Sequence, residues 1–435
     1  MKPTLIAMVL GIMTPLAGLS ALRAQSTDLD RPPILYSTAT PHNVVTELEK
    51  KLKDQKLVIE PDPEFGYLKP LLKALDVPIS SQVMVFSKTS LQRSRIGPKT
   101  PRAMYFNDDI SIGFCRHGEV LEVAAADPKL GTVFYSVDQR PNKKLTFTRQ
   151  TESCLICHGS SSNQGFPGFL VRSVFPDRAG DPVLSKGTKR VDHSTPLEDR
   201  WGGWYVTGTS GKQTHQGNQI VGGWSWADAD RQPASENITD LKPYFTIGNY
   251  LSPHSDIVAL MVLEHQGEMY NRLTRANFQT RIALFEQEEL NKAFNEPMKN
   301  RSEGITKRIH WACEPVVQFM LFSEETKLTE PVVGTSGFTE EFAARGPFDS
   351  KKRSLRQFDL KTRMFRYPMS YMIYSSLFEG LPAEAKARIY QRLWEVLSGK
   401  DQSKEFAHLT KADRENIIAI LRETKKDLPD YWKKD

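Results

Sequence analysis

The pattern of hydrophobic and polar positions changes character twice along the chain. Val45, Leu48 and Leu52 recur at helical spacing over residues 44–54. Leu68, Leu71, Leu72 and Leu75 repeat that spacing over 66–76, and Pro78 ends it. From 81 to 149 the apolar residues come in short runs, at 82–86, 103–106, 110–114, 120–124, 133–137 and 145–148. Asn107-Asp108-Asp109, His117-Gly118, Asp127-Pro128 and Arg140-Pro141-Asn142 supply turn chemistry between runs, which predicts an antiparallel sheet. Residues 159–250 are rich in glycine and aromatics and carry no long periodic run; they read as long loops, which in a compact protein tend to serve function. Helical periodicity returns at 255. Asp256 is placed to cap a helix whose Ile257, Leu260, Met261 and His265 share a face. Further helical patterns run over 279–298, 303–323 (interrupted by Pro315), 368–379, 382–398 and 410–424, the last opened by a capping-box-like Thr410…Asp413. The segment 325–365 reads as loop and connector.

The fold class expected is therefore α+β: an antiparallel sheet leading into a loop-rich segment, then a mainly helical C-terminal part. The expected divisions are a helical lead-in over 25–80, a β-rich unit over 81–250 and a helical unit over 251–435.

The N-terminus changes the cellular picture. Met1-Lys2-Pro3 is a short basic start, residues 4–22 are apolar with small residues, and cleavage after Ala24 is the expectation for a signal peptide over 1–24. Pro15 and the glycines argue against an uncleaved anchor. No other stretch approaches a membrane span, so an exported, periplasmic chain without stable membrane insertion is expected. The net charge of +6 over 435 residues suits an acidic partner protein. With no basic stripe interleaved with aromatics, nucleic acid is not an expected partner.

The chemistry concentrates in one pentapeptide. Cys154-Leu155-Ile156-Cys157-His158 reads C-x-x-C-H, in a chain with only 4 Cys and 9 His. This is the attachment pattern for a c-type haem: two thiols add to the vinyl groups, and the adjacent imidazole ligates the iron. One covalent haem c is the expected cofactor, with Cys154 and Cys157 as attachment points and His158 as proximal ligand. Two other uses of the same residues exist. A zinc site could take the three with Cys115 or Cys313 as a fourth ligand, giving a zinc-stabilised module. A thioredoxin-like dithiol would need a strand-to-helix context that the flanks Thr151-Glu152-Ser153 and Gly159-Ser160-Ser161 do not offer. Cys115 and Cys313 remain, either bridged or as two separate buried thiols.

The sixth iron position sorts carrier from enzyme. His193, with Asp192 beside it as a possible orienting carboxylate, leads the distal candidates, followed by His254 and His215. Arg172 and Arg200 are candidates to pair with haem propionates, and Trp201, next to Gly202-Gly203, to lie against the porphyrin. An occupied sixth position implies electron transfer with a redox partner protein. An open one implies a haem enzyme or small-ligand binder, which the chain's size favours.

Several stretches together carry a resemblance: Val85-Phe86-Ser87-Lys88-Thr89-Ser90-Leu91-Gln92, Tyr105-Phe106-Asn107-Asp108-Asp109, the C-x-x-C-H followed by Gly159, the run from Arg200 to Gly208, and that from Ser252 to Leu260. Here the chain resembles a family of large exported bacterial cytochrome c-like proteins with a single C-x-x-C-H. The resemblance implies a haem c protein and brings no particular activity with it.

Overall fold

The computed structural model describes residues 29–140, 143–221 and 237–433; the expected signal peptide lies outside them. Two helices open the chain. In α1 (Val44–Lys53), Asn43 caps the first turn in a reciprocal box with Thr46. α2 (Leu68–Ala74) buries Leu68, Leu71 and Leu72. The strands then follow where turn residues punctuate the apolar runs: β1 (Val83–Val85), β2 (Arg102–Phe106), β3 (Ile110–Phe114), β4 (Val120–Asp127), β5 (Gly131–Asp138) and β6 (Phe147–Gln150).

These strands form a seven-stranded sheet in the order β6-β5-β4-β3-β2-β1-β9, where β9 (Trp204–Tyr205) arrives from the loop-rich segment. Every pairing is antiparallel, with Met104 opposite Gly113 and Gly113 opposite Glu122. Side chains alternate between the faces. Met84, Ala103, Tyr105, Ile112, Leu121 and Val123 point to a core shared with α1 and α2. Val83, Val85, Phe106, Ala126 and Trp204 point the other way, into the core of the helical half. The sheet is thus covered on both faces. The α+β class holds, with the sheet in the first half and helices dominating the second.

The centre of the molecule is α4 (Ile257–Ala293), 37 residues long. The sequence reads it as two helical stretches; it is one. Residues 257–271 are all buried, polar ones included, so its first four turns have no solvent face and no single stripe to read. α5 (Glu303–Met320) runs unbroken through Pro315, which leaves the carbonyl of Trp311 without its helical donor. α6 (Phe338–Ala344) lies inside the segment expected to be a connector: Phe338 and Phe342 stack on each other and are its buried face. The expected helix over 368–379 is a 3₁₀ turn followed by the short α7 (Ser376–Glu379). α8 (Ala383–Leu397) and α9 (Lys411–Thr424) close the chain, and the Thr410–Asp413 box is formed.

Asp256 is the device that starts α4. One carboxylate oxygen accepts from the backbone N–H of Val258 (2.8 Å) and Ala259 (3.1 Å). The other accepts from Thr335 (2.6 Å) and Ser336 (2.8 Å), tying the connector to the helix start. Asp256 is fully buried. Asp256→Ala strands these donors and is expected to cost about 2–4 kcal/mol, read as a lowered urea midpoint. Asp256→Asn, which keeps the capping oxygen, should cost less.

Candidate functional site

The C-x-x-C-H motif follows directly on β6. Leu155–His158 forms a single helical turn, α3, with Cys154 at its N-terminal flank. Cys157 is exposed and Cys154 partly covered, and the intervening Ile156 is 72 % exposed. Burial and nearby Glu122 push the Cys154 thiol up to about 11, which keeps it protonated. Among the described residues no three His, Cys, Asp or Glu side chains gather closely enough to hold a metal ion, so the motif's thiols and imidazole do not converge on one point.

Among the described residues, His158 is hydrogen-bonded at one ring nitrogen. Its Nδ1 lies 2.8 Å from the carbonyl oxygen of Gly168, and its ring tilts against Phe134 at 4.7 Å. Since a carbonyl only accepts, Nδ1 carries the proton and Nε2 carries the lone pair. Burial pushes this imidazole below its usual value, against the opposing pull of the Gly168 carbonyl, so the neutral, ligating form is favoured.

The loop that presents Gly168 is closed and anchored. Gly168 N–H donates back to the His158 carbonyl at 3.1 Å. Asn163, buried, spans the loop through bonds to the carbonyls of Phe166 (2.7 Å) and His158 (3.2 Å). Asn271 of α4 grips the next residue at both ends: its amide donates to the Phe169 carbonyl (2.9 Å) and its oxygen accepts from the Phe169 N–H (2.8 Å). A Cβ on Gly168 would stand 2.0 Å from the Asn271 oxygen and 2.4 Å from the Asn163 amide, so only glycine fits. The sequence singles out His158; it gives no signal that Asn163, Gly168 and Asn271 hold it.

The other candidates lie elsewhere. His193 is buried in the helical core, its ring stacked on Phe319 (3.9 Å) and Phe322 (4.8 Å). Its Nδ1 meets Nδ1 of His265 at 2.8 Å, and His265 Nε2 meets the Ser370 hydroxyl at 2.8 Å. None of these neighbours touches His158. Asp192 does not orient His193; it accepts from the N–H and hydroxyl of Ser194. Arg200 is likewise enclosed. It pairs with Glu264 of α4 and donates to the carbonyls of Thr195 (2.7 Å) and His193 (2.9 Å). Trp201 Nε1 donates to the same Glu264 at 3.1 Å. Burial pushes the Glu264 carboxyl up while Arg200 and Trp201 pull it back. Arg200 and Trp201 thus serve α4 and are committed away from the motif.

Arg172 sits on a small hairpin, β7 (Arg172–Val174) with β8 (Thr188–Arg190), and donates to the Thr188 hydroxyl at 3.1 Å. His215 is buried, edge-on to Trp201, and its Nδ1 accepts from Gly217 N–H at 3.1 Å. His254 precedes α4, and its Nδ1 is buried without a hydrogen-bond partner among the described residues. Cys115 and Cys313 are two separate buried thiols, each pushed up to about 12 by burial. They are not bridged: Cys313 lies against the Ala385 carbonyl in the helical half, and Cys115 follows β3.

The chain matches no protein-family model, no curated protein and no solved structure. Among the described residues no helix is long and apolar enough to cross a membrane.

The His193–His265 pair makes a pH prediction. Burial holds both imidazoles far below their ordinary value in the folded chain. Unfolded, they take up protons below about pH 6.5. The unfolded state then binds more protons, so this contribution to stability falls as pH drops below that point, by up to ~1.4 kcal/mol per pH unit per imidazole. Urea midpoints should fall more steeply on acidification in the wild type than in His193→Phe; equal slopes would contradict the assignment.

Proposed function

We propose that this chain is an exported monohaem c-type cytochrome that transfers electrons. Haem is joined through thioethers at Cys154 and Cys157, and its iron is ligated by His158. The observation that carries the reading is the geometry of His158: its Nδ1 is fixed 2.8 Å from the Gly168 carbonyl, which leaves Nε2 as the nitrogen for iron. Second-shell acceptors of this kind orient ligating histidines and set their tautomer. A further feature supports it. The stretch around Cys157 is open to solvent, where haem insertion and contact with a redox partner protein both need access.

Bound haem supplies a one-electron couple at iron. The chain's own part is to hold the proximal imidazole rigidly, through the Asn271–Phe169–Gly168 chain of contacts, and to keep it neutral by burial. Export, on the reading of residues 1–24, supplies the compartment in which such haem attachment takes place.

A second reading, a small-ligand binder or enzyme with an open distal iron position, is favoured by one specific observation. His193, first among the distal candidates, has its ring packed between aromatic side chains and its Nδ1 spent on His265.

The tests are direct. Haem should stay on the chain through denaturing electrophoresis and be lost in Cys154→Ala plus Cys157→Ala. A wild type that releases haem into acid-acetone, or carries stoichiometric zinc, overturns the reading. His158→Ala should shift the Soret band and remove low-spin character from the reduced spectrum. Asn271→Leu should keep covalent haem while perturbing the spectrum in the same sense, because it unseats Gly168 and not the thiols; an unperturbed spectrum would mean that the Asn271 bonds do not hold His158. Carbon monoxide binding by the reduced wild type selects the open-site reading over the carrier.

A further inference from the structure

Where α4 faces α5, two arginines are paired with one carboxylate and a third, Arg275, stands beside them. Arg272 donates to Glu268 (2.8 Å), and Arg190 pairs with the same residue. Arg275, one turn further along α4, has no ion pair and no hydrogen bond among the described residues, and its Nε is buried without a partner. Arg275 carries a guanidinium whose positive charge nothing nearby neutralises, and the neighbouring Arg272 works against it: burial and that like charge depress the Arg275 pKa to about 10.

Arg275 opens into a groove. Gln164, Gln279, Arg308, Trp311, Ala312 and Pro315 form the rest of its wall. Arg308 at the rim is paired with Glu286, which leaves Arg275 as the uncompensated charge. Trp311 is 72 % exposed and Pro315, one turn on, adds a second apolar surface. Gln164 and Gln279 bring amides, which donate as well as accept. The groove therefore pairs a guanidinium without a protein partner among the described residues with a flat apolar wall. Gln164 also belongs to the loop between His158 and Gly168, so the groove borders the segment that holds the motif.

We propose that this groove binds a small organic anion, its carboxylate or phosphate oxygens on the Arg275 guanidinium and its apolar body over Trp311 and Pro315. A planar guanidinium takes two oxygens of such a group at once, and partial burial strengthens the contact relative to an exposed arginine. The proposal rests on Arg275 and its groove and is independent of haem.

Calorimetric titration of the full-length protein at low salt tests it, with benzoate, acetate and inorganic phosphate as probes. Benzoate should saturate one site and bind more tightly than acetate. Arg275→Gln should weaken benzoate and phosphate by about tenfold or more, the loss expected for a charged hydrogen bond. Arg275→Lys, which keeps charge without the fork, should fall between. Trp311→Ala, at an exposed position with little bearing on folding, should weaken benzoate and leave phosphate unchanged. Should Arg275→Gln fail to fold, Arg275→Lys and Trp311→Ala carry the test. Absence of a saturable site, or affinities that the Arg275 and Trp311 variants leave unchanged, overturns the proposal. Haem staining, read in parallel on the same samples, separates this outcome from failure of the cytochrome reading.

Discussion

Burying a long helix on all sides forces its polar side chains to find partners inside the protein, and the rest of this structure follows from how α4 meets that demand. Glu264, His265, Glu268 and Asn271 all lie in the stretch that has no solvent face. An unpaired polar group there would cost about 1–3 kcal/mol, and an unpaired charge more. Their partners come largely from the loop-rich segment: Arg200 and Trp201 for Glu264, His193 for His265, Arg190 for Glu268, the Phe169 backbone for Asn271. A segment with little regular structure is thereby ordered by side chains of one helix. The glycines in it follow from the close approach this requires. Gly202, for instance, lies where a Cβ would stand 2.3 Å from the Val174 carbonyl.

The same arrangement couples the candidate site to the scaffold. Asn271 is both a satisfied buried amide of α4 and the group that fixes Phe169, and the carbonyl of Gly168 beside it accepts the hydrogen bond from His158 Nδ1. The His158 imidazole is thus referenced to a helix whose first turns are buried on every side, while Cys157 beside it is exposed. Rigid support of an imidazole and solvent access to a thiol thus fall within one five-residue motif. The size of the chain makes sense in these terms: the motif occupies one turn of helix, and its support draws on α4, the loop segment and the sheet through Phe134.

The buried histidine pair belongs to the scaffold side of this division. Two imidazoles sharing a proton between their Nδ1 atoms, stacked among Phe319 and Phe322, join the loop segment to α4 and through Ser370 to the helical C-terminal part. Arg200 does the same with Glu264. Both residues have the chemistry of a haem pocket, and both are spent on holding the fold.

What the sequence determines by itself is whatever is local. The strands over 83–150 are legible because each is a short apolar run fenced by turn residues, and the caps Asp256 and Thr410 because a helix start uses nearby donors. The C-x-x-C-H motif is legible because its five residues are contiguous. Tertiary structure alone decides where polar residues from distant segments meet. Two helical stretches read as separate because the wholly buried first turns of α4 carry no amphipathic stripe that continues into its later turns; packing makes them one helix. His193, Arg200 and Trp201 look like ligands and pocket walls from their types and their place after the motif, yet their partners are 63 to 72 residues away in the chain. Asn271, 102 residues from Phe169, gives no signal at all, because its role is a pair of backbone hydrogen bonds that exist only once the loop and the helix are packed together.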